Sequence, residues 1–176
     1  MHISRLHAED KKALFDFERR NREWFEKSVP PRPSGYSEFA TFSRMIDSLL
    51  EEQEAGTCLF HVIREGERII GRANLVDISG GAAEIGYRVC ESAAGRGAAT
   101  VAVHFLIEQA AAGLSLRKLT AKTTTENPAS RRVLEKCGFK QTGIVENGAV
   151  LNGRSVDFVC YERLLPKPVP DAGDAV

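Results

Sequence analysis

The sequence predicts an α+β fold, a single domain built around one mixed sheet. Three observations carry that expectation. Two amphipathic helical segments come first, short alternating runs of antiparallel-strand character follow, and a helix–strand–helix series punctuated by glycine then leads to a last pair of strands. The 176 residues fit one domain, because the common domain size is about 100–150 residues. With 43% hydrophobic and 27% charged residues, the composition is that of a chain with a packed core.

In chain order, residues 8–26 place Leu14, Phe17 and Trp24 at helical spacing, and the proline-rich stretch 30–35 breaks that segment. A second helix starts near Ser37, with Phe39, Phe42, Ile46 and Leu49 as its core-facing stripe. Between them, residues 28–36 read as an irregular, partly apolar loop of the kind that lines sites. From Thr57, CLFHVIR, a turn at 65–67 and RIIGRANLV read as a hairpin, within a set of about four antiparallel strands. The loop at 77–81 leads into AAEIGYRVC, where Glu84, Gly86 and Arg88 alternate with Ile85, Tyr87 and Val89.

Residues 97–112 form an alanine-rich helix stopped by Gly113, and KLTAKTTT is the next strand, parallel to the one before the helix because a crossover joins them. Asn127-Pro128 starts another helix, since asparagine caps the first amides and proline suits the first turn; Gly138 ends it. Residues 139–145 and 155–165 form a last antiparallel pair, joined through Asn147-Gly148 or Asn152-Gly153. The domain is expected over 1–165, followed by a disordered tail at 166–176. His61 and His104 read as packing residues of a strand and a helix.

Composition also excludes classes of function. Twenty-four Lys plus Arg balance twenty-four Asp plus Glu, so the strong basic field of a general nucleic-acid binder is absent. No apolar run approaches the roughly 18–20 residues of a membrane span, and the first residues lack a signal peptide's apolar segment, so a cytoplasmic protein is expected. Cys58, Cys90, Cys137 and Cys160 contain no close-spaced pair, so buried, reduced thiols are expected rather than a structural metal site.

The most informative stretch is ESAAGRGAAT, residues 91–100, between a strand and a helix. Gly95 and Gly97 permit close backbone approach, the unpaired amides of Gly97, Ala98, Ala99 and Thr100 open the helix, and Arg96 adds positive charge. Such an end takes a phosphate, though a plain tight turn also explains the glycines. A Walker A loop needs Gly-Lys-Ser/Thr, which is missing, and a dinucleotide fingerprint wants Gly or Ala where Thr100 stands. No Gly-x-Ser-x-Gly elbow occurs either.

The order AEIGYRV, the Gly-x-Gly turn and helix, then TTTENPASRRVLEKCGFK resembles the GNAT superfamily of acetyl-CoA-dependent N-acetyltransferases, in particular its RimJ/RimL-type branch. The resemblance implies a GNAT-like sheet with helices on both faces, splayed beside the strand ending at Val89 and Cys90 to admit the pantetheine arm of acetyl-CoA. It implies a co-substrate site at Gly95, Arg96, Gly97, Ala98, Ala99 and Thr100, with Asn127 and Ser130 beside the arm, and no metal. Ser92 departs from the family's Gln/Arg position, which weakens the loop motif.

Acetyl transfer to an amine needs a proton acceptor for the amine and a donor for the leaving thiolate. By the resemblance, Glu84 is the candidate acceptor and Ser130 the donor. Each also has a plain role, an exposed strand carboxylate in one case and a first-turn serine in the other. The acidic residue that the branch places two positions before Leu-Asn-Gly is Ala149 here, which leaves Glu84 or Glu146 as the base. Tyr87 and Tyr161 are further candidate donors. The expected acceptor is a peptide or protein α-amine, with Glu26, Glu38 and Glu146 attracting the cationic amine. A small-molecule amine, a non-catalytic acyl-CoA-binding module and a dinucleotide-dependent enzyme are the alternatives. A monomer or a homodimer is expected.

Overall fold

The computed structural model describes residues 1–166. Seven strands form one sheet in the order β1-β2-β3-β4-β5-β7-β6. They are β1 His2–Arg5, β2 Leu59–Glu65, β3 Arg68–Ser79, β4 Ala82–Val89, β5 Lys118–Thr124, β6 Lys140–Leu151 and β7 Arg154–Leu164. The helices are α1 Lys11–Arg20, α2 Arg22–Glu26, α3 Phe39–Glu54, α4 Ala98–Glu108 and α5 Pro128–Lys136. They cover both faces of the sheet. On one face Arg72 of β3 bonds Glu18 of α1, and on the other His61 of β2, opposite Ala73, packs edge-on against Phe105 of α4 with centroids 4.9 Å apart. Leu14, Phe17, Phe42 and Ile46 of α1 and α3 are fully buried in the core.

The crossover through α4 makes β4 and β5 parallel neighbours, as its length requires. Their pairing stops after Ala82↔Lys118, Ala83↔Leu119 and Glu84↔Thr120. Beyond that point β4 stays on β3 as far as Val89, while β5 stays on β7 as far as Thr124. The sheet therefore divides, and the facing edges of the two strands have no strand partner in the gap.

Several elements differ from expectation. Strand β1 was not anticipated, and the set between α3 and α4 has three strands rather than about four; four residues with no fully buried position carry no alternation, and β1 exists through its pairing with β2. The first helical segment is broken at Asn21, whose side-chain amide donates to the Phe17 carbonyl at 2.8 Å and competes with the helix. Phe39 is 41% exposed, its ring held edge-on by Phe15 at 5.3 Å. Helix α4 does not end on a glycine cap: it widens into a π turn, Gln109–Gly113, closed by the Leu114 amide on the Gln109 carbonyl at 3.1 Å. His104 is exposed, because the buried stripe Ala98, Ala102, Val103, Leu106 and Ile107 turns it outward.

Of the two Asn-Gly pairs, Asn152-Gly153 makes the β6–β7 turn, with φ of 51° and 75°, the paired positive values of a tight hairpin turn. Asn147-Gly148 sits inside β6, where the register slips between Val145 and Ala149. The four cysteines are free, three of them buried. The expected tail lies outside the described residues except for Pro166, which is exposed.

Candidate active site

The gap between β4 and β5 is a cleft floored by Glu84, Gly86 and Tyr87 on one side and by Ala121 and Thr123 on the other. Ser28, Val29 and Pro30 roof it. The roof is fastened by the Thr124 hydroxyl, which donates to the Ser28 carbonyl at 2.8 Å. At the far end of β4 the Trp24 indole N–H donates to the Val89 carbonyl at 3.1 Å, and the Cys90 amide donates to Ile70 at 2.8 Å. The Cys90 side chain is buried, and its sulfur lies 3.2 Å from Ser92 Oγ.

The cleft continues as a channel past Val89, Gly95, Ala99, Asn127 and Ser130 to the start of α4. Gly97, at φ 83°, is the residue from which α4 departs, and no side chain caps the helix. Gly95, at φ 73°, precedes it. A Cβ built on either glycine meets nothing within 4 Å, so open space lies over both, and the first-turn amides that follow have no intrahelical partner. The positive end of the helix dipole adds about 0.3–1 kcal/mol for an anion at an exposed terminus. The Arg96 guanidinium turns to Glu65, 2.9 Å away on the surface.

At the start of α5 the Asn127 side-chain oxygen accepts from the Ser130 amide at 3.0 Å, and Pro128 holds the first turn. Ser130 Oγ lies 2.9 Å from the Tyr87 hydroxyl, which also approaches the Ser130 carbonyl at 3.2 Å. Burial pushes the Tyr87 phenol up to about 12, so it remains protonated throughout the neutral range. Serine, tyrosine and capping asparagine thus meet in one wall of the channel. Glu84 is ion-paired with Lys122 at 2.9 Å, and hydrogen bonding and charge from Glu84 raise the Lys122 pKa.

Other candidates lie elsewhere. The Tyr161 hydroxyl is buried and donates to Glu135 at 3.0 Å. Glu146 is exposed on the bulged part of β6 and is not among the residues lining the cleft, while Ala149 pairs with Val156. Glu26 is matched by Arg22 at 2.8 Å and lines a second cavity beside the cleft, while Glu38 accepts from the Thr41 hydroxyl at 2.8 Å. Among the described residues, no group of three or more His, Cys, Asp or Glu side chains is arranged to hold a metal ion.

This second cavity adjoins the cleft, lined by Pro30, Pro33 and Tyr36 of the loop 28–36 and by Glu26, the groove wall the sequence suggests, and also by Glu18 and Arg88, which the sequence reading does not single out. Glu18 is buried there between Arg72 at 3.0 Å, Arg88 at 3.1 Å and Arg32 at 3.4 Å. The available signal was Glu18 itself, four residues after Leu14 on the apolar stripe of α1, where an unpaired carboxylate would be costly.

A sheet opened between parallel strands leads to an uncapped, glycine-started helix, a shape with room for an extended ligand that ends in an anion. The acetyltransferase (GNAT) domain family matches residues 1–140, and the chain belongs to it. It is an acetyl-CoA-dependent N-acetyltransferase of that family, with acetyl-CoA as co-substrate. The ribosomal-protein-serine acetyltransferase of Escherichia coli is 27% identical over 155 residues, 88% of this chain and 87% of that one. RimL, a ribosomal alpha-N-protein acetyltransferase solved in complex with coenzyme A, superposes with a TM-score of 0.86 at 21% identity, covering 93% of each chain. A spermidine N-acetyltransferase chimera involving Vibrio cholerae has a TM-score of 0.77 at 18% identity, covering 93% of this chain and 94% of its own. The two solved structures share the fold.

Proposed function

We propose that this protein acetylates the α-amine of a peptide or protein, as the ribosomal-protein enzymes it resembles are named for doing. The observation that carries the chemistry is the Tyr87–Ser130 hydrogen bond on the wall of the divided sheet. Acetyl-CoA supplies the activated thioester. Gly95, Gly97 and the amides of Ala98, Ala99 and Thr100 would hold its pyrophosphate, and Arg96 stands beside them with its charge now shared with Glu65. Val89 and Asn127 would flank the arm, and Cys90 supports the turn from beneath.

Ser130 Oγ gives its proton to the departing sulfur and takes one from the Tyr87 hydroxyl, which regains it through water from the Glu84 carboxyl that has received the amine proton, so the proton count closes. The Glu84 carboxylate, steadied by Lys122, takes the proton of the incoming amine, directly or through water. An α-amine suits this arrangement. Its reference pKa is about 7.7–8.0 against about 10.4 for lysine, so more of it is neutral near pH 7 and a modest base suffices. With the position of the branch's second acidic residue filled by Ala149, a modest base is what the chain offers. No helix among the described residues is long and apolar enough to cross a membrane, and the proposed place of action is the cytoplasm.

The experiment is acetylation of short peptides with free and with blocked N-termini, followed by mass spectrometry. Free N-termini should be acetylated and blocked ones left untouched. Equal modification of both, or activity confined to small amines such as spermidine, would overturn the α-amine reading.

A further inference from the structure

The cavity beside the cleft carries an excess of positive charge in its wall, Arg19, Arg22, Arg32 and Arg88 against Glu18 and Glu26, and Arg22 pairs with Glu26. Arg72 and Arg88 stand opposite each other in the β3–β4 register and both converge on Glu18, to which Arg32 reaches from the loop after α2. One carboxylate against three guanidinium groups leaves two positive charges over. Donor capacity is equally unbalanced: three guanidinium groups carry about fifteen N–H donors, against about four lone-pair sites on a carboxylate. Among the described residues the buried Arg32 Nε–H has no acceptor. The Arg88 guanidinium lies over the Phe25 ring at 4.8 Å and that of Arg32 over the Tyr36 ring at 5.0 Å. Both planes are thereby held, which leaves their edges for in-plane bonds of the kind a planar carboxylate makes.

Burial pulls the Arg88 pKa down to about 10 against the attraction of Glu18, and repulsion from Arg32 and Arg72 adds to the fall, so another anion here would be welcome. The cavity adjoins the cleft, with Pro30 and Arg88 bordering both. Arg88 lies on the same face of β4 as Glu84, four residues back along the strand, and both line the cleft.

We infer that this cavity is the acceptor-side subsite for a carboxylate: the amine acceptor carries an acidic group that docks against Arg32 and Arg88 while its amine lies in the cleft between β4 and β5. The inference rests on the reading of that cleft as the acetyl-transfer site and names the acceptor class it serves. A peptide satisfies it with Asp or Glu near its N-terminus, and a free amino acid with its own carboxylate. Lysine-rich N-termini and polyamines are disfavoured by the same charges.

The test uses C-terminally amidated peptides that differ only in carrying Asp, Asn or Lys at position two, three or four. At one of these positions kcat/KM for Asp should exceed that for Asn by at least about tenfold, the worth of one charge-assisted bond pair, with Lys lower still. The preference should shrink as salt rises. The Asp-to-Asn ratio should approach one in Arg32→Gln and be retained in Arg32→Lys. Calorimetry should show an N-blocked Asp peptide binding more tightly than its Asn counterpart. Equal rates for Asp and Asn at every position in the wild-type protein would overturn the subsite while the α-amine reading stands. If no peptide is acetylated, the α-amine reading falls. The subsite then survives only if 4-aminobutyrate outperforms butylamine by a similar factor, and equal use of the two overturns it.

Discussion

At the scale of single residues, the proposed chemistry turns on a hydroxyl pair that neither residue type announces. Ser130 and Asn127 were legible because Asn-Pro-x-Ser after a strand is a helix start with a donor on its first turn. Tyr87 is 43 residues away in the chain, and only the divided sheet brings it to 2.9 Å from Ser130. Glu18 was illegible for a related reason. What makes a carboxylate tolerable on an apolar stripe is its partners, and Arg72 and Arg88 lie 54 and 70 residues further on. If the pair works as a relay, Ser130→Ala should lower kcat by about 100-fold or more with coenzyme affinity nearly unchanged, and Tyr87→Phe added to it should cost little further, because the two act in series. Steady-state kinetics with calorimetry on the single and double variants checks this. A loss below about threefold for Ser130→Ala would reduce Ser130 to a helix-start residue.

Among elements, the most legible were those whose ends are written in side chains. Helix α5 begins at Asn127-Pro128 and stops before Gly138, whose φ of 80° needs glycine, and the hairpin turn at Asn152-Gly153 follows the same logic. Less legible were β1, which depends on a partner strand, and the π turn after α4, where nothing local marks the change of pitch. Helix α1 is fastened to the sheet by Glu18 as well as by apolar packing. Burial pushes that carboxyl upward, and the guanidinium groups of Arg88, Arg72 and Arg32 more than offset it, holding it below its ordinary value of 4.5. A folded-state pKa below the unfolded one stabilises the fold above that value and withdraws the support as pH falls through it. Glu18→Gln should therefore cost about 3–5 kcal/mol at pH 7, since it leaves three buried or half-buried cations around a neutral group. Urea unfolding across pH 3–7 measures both effects. The variant should lose part of the wild-type acid dependence, and unfolding midpoints equal to wild type at pH 7 would contradict the role assigned to Glu18.

For the whole molecule, the crossover rule was enough to make β4 and β5 parallel; that they part came only from resemblance to a family, and where their pairing stops was written in no residue type. The structure puts the break after Glu84 and Thr120, and with it the cleft, the channel to the first turn of α4 and the arginine-walled cavity alongside. The claim that unites these parts is that acetyl-CoA enters where the sheet divides. A crystal structure of the protein with coenzyme A tests it most directly. The pyrophosphate should lie on the amides following Gly95 and Gly97, the arm between β4 and β5, and the sulfur beside Ser130 Oγ. Coenzyme A bound with its arm outside the divided sheet, or with its phosphates against Arg32 and Arg88, would contradict it.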